Sequence, residues 1–222
     1  MSAPAGGARA EKAAELLGQV ALLVRAYRRQ DRLPSALRED VRRHVGWAPT
    51  KDDLLENPEL LRVRATWRAV GVRSETRADD LVQHETWLRR AGAETPRWAL
   101  LLDFVPKSAG GGAAPYHAGE LLDAELVFHP SAVPLRALLA HAEPASGAPE
   151  LGLAGPAPNL HDSWTKVRRT WAEEPWRDPV PFEAAGVSIG EVGGRHHLFD
   201  DAVMLPIETD SPEHLEALAS AG

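Results

Sequence analysis

The chain has 222 residues, 44% hydrophobic and 26% charged, enough to bury a real core in one large domain or a domain with a smaller appendage. It has no cysteine, which excludes disulfides, thiol nucleophiles and every cysteine-bearing zinc site. The net charge of −7 is uneven: residues 1–50 hold nine Lys/Arg against five Asp/Glu, and residues 171–222 hold two against eleven. Such polarity can steer a partner, and it is also the composition of solvated helix faces.

No stretch reads as a membrane span: the longest apolar-leaning run, residues 13–24, carries Glu15 and Gln19 and falls short of the roughly 20 residues a crossing needs. The first residues lack the uncharged core of a signal peptide, so a cytoplasmic location and no membrane partner are expected.

Residues 1–10, rich in Ala, Gly and Pro, read as a flexible lead-in. From Glu11 to about Gln30 a helical period sets Leu16, Val20, Leu23 and Tyr27 on one stripe, expected to be buried, with Leu17 and Val24 beside it. Leu33-Pro34 turns into a second helix over 35–45 with Leu37, Val41 and Val45 as its inner line. Gly46 stands where a left-handed residue ends it. Thr50 to Asp53 forms a capping-box pattern before Leu54 and Leu55, and Pro58 limits that third helix.

The period then changes. Thr66–Glu75 reads as a strand with Trp67, Val70 and Val72. Residues 76–90 fit helix or strand, and the alternation of Val82, His84, Thr86 and Leu88 favours a strand paired with the one before. Arg97–Val105 is apolar on both faces, as a doubly covered central strand is. Leu122, Ala124, Leu126 and Phe128 alternate against Asp123, Glu125, Val127 and His129. This strand, ended by Pro130, is expected to lie antiparallel beside 98–105, with Leu135–Leu139 as a short apolar segment after Pro134.

Residues 141–158, with four prolines, read as a linker or long loop between a first part, 11–140, and a second, 159–222. The second part opens with a helix over 159–174, its stripe being Leu160, Trp164, Val167 and Trp171. A hairpin about Gly193-Gly194 follows, opposing Glu191 to His196 and Ile189 to Leu198, then a third strand over 203–207 and a closing helix opened by Ser211-Pro212-Glu213. The fold class is therefore α+β: a helical hairpin or bundle on a mainly antiparallel sheet, then a helix with a small β-meander.

No catalytic signature stands out. There is no Gly-x-Ser-x-Gly elbow, and Gly110-Gly111-Gly112 lacks the Lys-Ser/Thr of a P-loop. Asp103, Asp123 and Glu125 are the carboxylates a hydrolase would use, although alternating acids also describe a solvated sheet face. The nine histidines lack ligand spacing, so neither a metal nor a cofactor is expected. Seven tryptophans among thirteen aromatics point to partner anchors alongside core contacts. The candidate partner-binding residues are Trp67, Trp87, His129 and Arg136, and Arg28, Arg29, Arg42 and Arg43 are the candidate nucleic-acid contacts.

Three runs carry a resemblance: LLVRAYRRQDRLPSALREDVRRHVGW, WALLLDFV and LLDAELVFHPSAVPLRALL. Across roughly residues 16–140, and most specifically in AELVFHPSAVPLRALL, the chain resembles the region downstream of the zinc finger in bacterial SWIM zinc-finger proteins. The finger's Cys-x-Cys…Cys-x-His site has no counterpart in a chain without cysteine, so its zinc does not transfer. The resemblance implies a non-catalytic interaction or scaffold module working with a MoxR-type AAA+ ATPase and neighbouring components, in systems that counter invaders. It brings no catalytic residues.

Overall fold

The computed structural model describes residues 5–47, 49–92, 94–109, 114–145, 158–177 and 179–209. They fall into two compact units: Met1–Gly152 with Glu174–Trp176, and Leu153–Glu173 with Arg177–Gly222. The fold is α+β, with three helices ahead of a five-stranded sheet and a fourth helix beside a small three-stranded one.

The first unit starts with α1 (Ala5–Tyr27), helical from within the expected lead-in, followed by α2 (Ser35–His44) and α3 (Lys51–Glu56). α2 ends as its sequence requires. Gly46 takes φ +98°, and the amides of Gly46 and Trp47 donate to the carbonyls of Arg43 and Arg42 at 3.1 and 2.9 Å, capping the last turn. α3 begins on a reciprocal cap: Asp53 N donates to Thr50 Oγ1 at 3.2 Å, and Thr50 N donates to the Asp53 carboxylate at 3.0 Å. That carboxylate is held below its usual pKa, first by the Thr50 hydroxyl and then by the Thr50 amide.

The five strands are β1 (Arg62–Thr76), β2 (Leu81–Arg90), β3 (Trp98–Pro106), β4 (Leu121–Phe128) and β5 (Arg136–Pro144). They close a barrel in the order β1-β2-β3-β5-β4, with β4 returning to β1. Every pairing is antiparallel except β3 with β5, which meet over only Leu100–Arg136 and Leu101–Ala137. A five-stranded Greek-key barrel of this kind is the architecture of the OB fold.

The closure corrects one expectation. The ribbons 98–105 and 120–129 are not neighbours, because β5 lies between them. Residues 136–144 escape recognition as a strand because their alternation breaks midway. Leu126 faces Leu139 but Glu125 faces His141, so Ala140 is bulged and the inner positions run Ala137, Leu139, Ala142. β3 is corrected too: its first half is buried, but Asp103 and Phe104 are exposed. Within residues 76–90, Leu81–Arg90 form a strand paired with β1 as expected, after a turn over 77–80.

The barrel interior is built from Trp67, Leu88, Leu101, Leu122, Leu126 and Phe128, with small Ala69, Ala99, Ala124 and Ala137 between them. The Trp67 and Phe128 rings lie tilted, 6.3 Å between centroids.

The second unit holds α4 (Leu160–Glu173) and a meander of β6 (Ser188–Val192), β7 (Arg195–Phe199) and β8 (Met204–Pro206). Glu191 faces His196 and Ile189 faces Leu198, as Gly193-Gly194 at φ +60° and +77° dictates. Asn159 caps α4 through Oδ1 to Asp162 N at 2.8 Å. Asp200 accepts from the amides of Ala202, Val203 and Leu160, and these bonds, Ala202 first, keep its carboxyl below its usual pKa. Most of the 141–158 run and the expected closing helix after 210 lie outside the described residues.

Removing a ring from the barrel centre should leave a cavity the closed wall cannot fill. Phe128→Ala is expected to lower stability by about 3–5 kcal/mol in urea unfolding, and a loss below about 1 kcal/mol would show that the ring is not core.

Candidate functional site

α1 carries the most unusual surface of the first unit. Leu16, Val20, Leu23 and Tyr27, with Leu17 and Val24 beside them, form the face expected to be buried, and of these Leu23 is half-buried. The others are in water instead: Leu17 is 70% exposed, Val20 57%, Leu16 49% and Val24 46%. α1 packs mainly on α2, which is too short to cover it. Where the two helices meet, a cleft of about 510 Å³ is lined by Tyr27, Gln30, Arg42 and Trp47, the last 71% exposed. The tryptophan excess was the signal for such an anchor, but it did not say which of the seven would be outside.

The four candidate partner residues do not form one surface. Trp67 is fully buried inside the barrel, a correction that makes it core. Trp87 is half-buried on the outer face of β2, over Gly71. His129 and Arg136 are neighbours where β4 and β5 meet, His129 N donating to Arg136 O at 2.9 Å, and His129 is buried. The arginine cluster is also divided. Arg28 and Arg29 are exposed, whereas Arg42 pairs with Glu39 at 3.0 Å and bonds Gln30 Oε1 at 3.2 Å.

Arg43 is internal. It donates to Asp40 Oδ1 at 2.7 Å and to Pro130 O at 3.1 Å, with Glu174 at 3.8 Å. Asp40, fully buried, also accepts from Ala132 N at 2.8 Å. One buried ion pair therefore ties α2 to the His-Pro-Ser-Ala-Val-Pro turn between β4 and β5. Arg43, mostly buried, is engaged in holding the fold. His129 lies against the same pair of arginines, and burial, then Arg136, then Arg43, depress its pKa to about 3.

The barrel wall separates Asp103 from the other two candidate carboxylates. Asp103 shares the parity of Ala99 and Leu101, whose side chains are interior, whereas Asp123 and Glu125 alternate with the interior Leu122, Ala124 and Leu126 and so stand outside. Asp123 accepts from Thr66 Oγ1 at 2.5 Å, and Glu125 lies 3.5 Å from Arg62. Asp103 therefore cannot pair with Asp123 or Glu125 through the wall, while Asp123 and Glu125 share the outer face.

At one end of the barrel a polar row crosses three strands: Ser74 on β1 faces His84 on β2, which faces Asp103 on β3. Ser74 Oγ and His84 Nδ1 are 2.7 Å apart. His84 is 1% exposed, and its Nε2 is buried with no hydrogen-bond partner. Sequence alternation put His84 on the inner face but could not tell which groups it would meet.

Among the described residues no three His, Asp or Glu side chains are grouped to hold a metal, and no helix is long and apolar enough to cross a membrane. No family model, curated protein or solved structure matches the chain.

Because His129 stays neutral in the fold down to about pH 3 while its unfolded counterpart protonates near 6.5, protons bind the unfolded chain in that interval. Its burial therefore carries no proton-linked cost above pH 6.5, and stability falls as pH drops from 6.5 toward 3, by up to about 1.4 kcal/mol per pH unit. Urea unfolding of wild type and His129→Gln from pH 7 to 4 should show a shallower loss in the variant, and equal slopes would remove His129 as a source.

Proposed function

We propose that this chain is a non-catalytic protein-interaction module of a bacterial assembly centred on a MoxR-type AAA+ ATPase, with α1 as its docking element. The reading rests on one observation: the helix holds an apolar stripe, Leu16, Leu17, Val20, Val24 and Tyr27, in water, and Trp47 stands exposed in the adjoining cleft. An amphipathic helix of this kind enters an apolar groove through anchors at i, i+4 and i+8. Arg25, Arg28, Arg29 and Arg32, exposed at the end of the stripe, match a groove with an acidic rim. The resemblance over residues 16–140 makes the ATPase the first partner to test.

Co-purification of the recombinant chain with the source genome's MoxR-type ATPase is expected to retain the complex. Leu17→Glu with Val20→Glu should weaken it by at least about tenfold, without shifting Tm, since both side chains are already exposed. A wild type that dimerises through the stripe and ignores the ATPase would overturn the assignment in favour of self-association.

A second reading is favoured by the outer face of β2 and β3. Phe104 is 42% exposed there with the Arg77 guanidinium 5.5 Å over its ring, a pairing that serves base stacking. It calls for salt-dependent binding of a fluorescent single-stranded oligonucleotide that Phe104→Ala weakens by about 1–3 kcal/mol. Binding unchanged in that variant would dismiss it.

A further inference from the structure

The polar row at the barrel end opens into a cavity of about 350 Å³. Its origin is topological. β3 and β5 pair over two rungs only, Leu100–Arg136 and Leu101–Ala137, and beyond them the wall is open between Leu102–Val105 and Leu138–Leu139. Chain from elsewhere borders the gap: Lys51 from α3 and Tyr116 from the β3–β4 connection.

The groups around the cavity do not satisfy one another. His84 presents a buried ring nitrogen without a partner, a state that costs stability unless something else supplies the bond. Asp103 lines the same space and makes no ion pair among the described residues. Tyr116 packs against the core with its hydroxyl held protonated, because burial, then the carboxylates of Asp103 and Glu120, raise its pKa. Leu101 and Leu139 supply apolar wall. A small cavity, mostly apolar with a few convergent polar groups, is the general form of a small-molecule site.

Side chains of both charge types border it, Asp103 and Lys51, with the His84 ring nitrogen and the Tyr116 hydroxyl as further hydrogen-bonding groups. We infer that the barrel mouth binds a small zwitterion with an apolar body, a free amino acid of the leucine or phenylalanine type. Asp103 and His84 meet its ammonium, Lys51 and Tyr116 its carboxylate, and Leu101 and Leu139 its side chain. His84 then gains the partner it lacks, its Nε2 accepting from the ammonium while Nδ1 donates to Ser74 Oγ. The site is separate from the α1 stripe, and neither assignment depends on the other.

The test is a titration of the full chain with L-phenylalanine, phenethylamine and 3-phenylpropionate, followed by calorimetry and by backbone amide and His84 imidazole resonances. Phenylalanine is expected to bind saturably, at least about tenfold more tightly than either singly charged analogue, with shifts at His84, Leu101 and Asp103. Asp103→Asn, at an exposed position that tolerates the change, and Leu139→Trp, which fills the cavity, should each weaken binding by at least about tenfold. Phenethylamine or phenylpropionate binding as tightly as phenylalanine would overturn the zwitterion assignment. No saturable binding by any of the three, or binding untouched by both variants, would overturn the site.

Discussion

The first unit depends on one strand using both of its edges. β1 pairs with β4 from Arg62 to Arg68 and with β2 from Trp67 to Thr76, so the two pairings overlap only at Trp67 and Arg68. A single bulge past Ala69 lets the strand serve both neighbours: Val70 has no opposite number and is turned out to 42% exposure, and β1 changes phase there. Closure through β1 leaves the sheet no open edge along the strand that would otherwise carry the longest one. It also sets the interior, because Trp67 sits at the crossing and packs on Phe128 from β4.

The rest of the unit is arranged by what the barrel leaves unfinished. α2 is fastened at the β4–β5 turn by the buried Asp40–Arg43 pair, which also reaches Pro130 and Ala132. Losing either partner would strand a charge in a dry place, so the pair acts as a specific lock more than as a source of net stability. α1 rests on α2 and keeps its apolar stripe in water, the observation on which the proposed docking role rests. The barrel mouth is the complementary case, where a wall joined by two rungs leaves buried polar groups facing space. The two surfaces differ in kind: one is broad, apolar and external, the other small and of mixed charge.

Much of this was legible residue by residue. The Thr50 cap, Gly46 at the end of α2, and the hairpin at Gly193-Gly194 with its register all depend on neighbours within a few positions, where backbone chemistry decides. The inner face of β4 was equally plain, since Leu122, Ala124, Leu126 and Phe128 alternate without interruption. β5 was not, because the bulge at Ala140 breaks its period and leaves His141 and Glu143 exposed near its end. Trp67, offered by composition as an anchor, proved to be core. Composition counts aromatic rings but does not say on which side of a wall each one stands.

By itself the sequence determined most of the elements, several caps and turns, the α+β class and the inner faces of β2 and β4, because those follow from local dihedral preferences and short-period hydrophobicity. Only the tertiary structure decided which strands are neighbours, that the acids Asp103 and Asp123 face opposite sides, that Arg43 is tied to the β4–β5 turn, and that the α1 stripe stands exposed. Each of those depends on contacts between residues far apart in the chain, such as Arg43 with Pro130 or Leu101 with Ala137. Amphipathic periodicity marks a face that prefers to leave water, and the partner that would cover it is not written in the same residues.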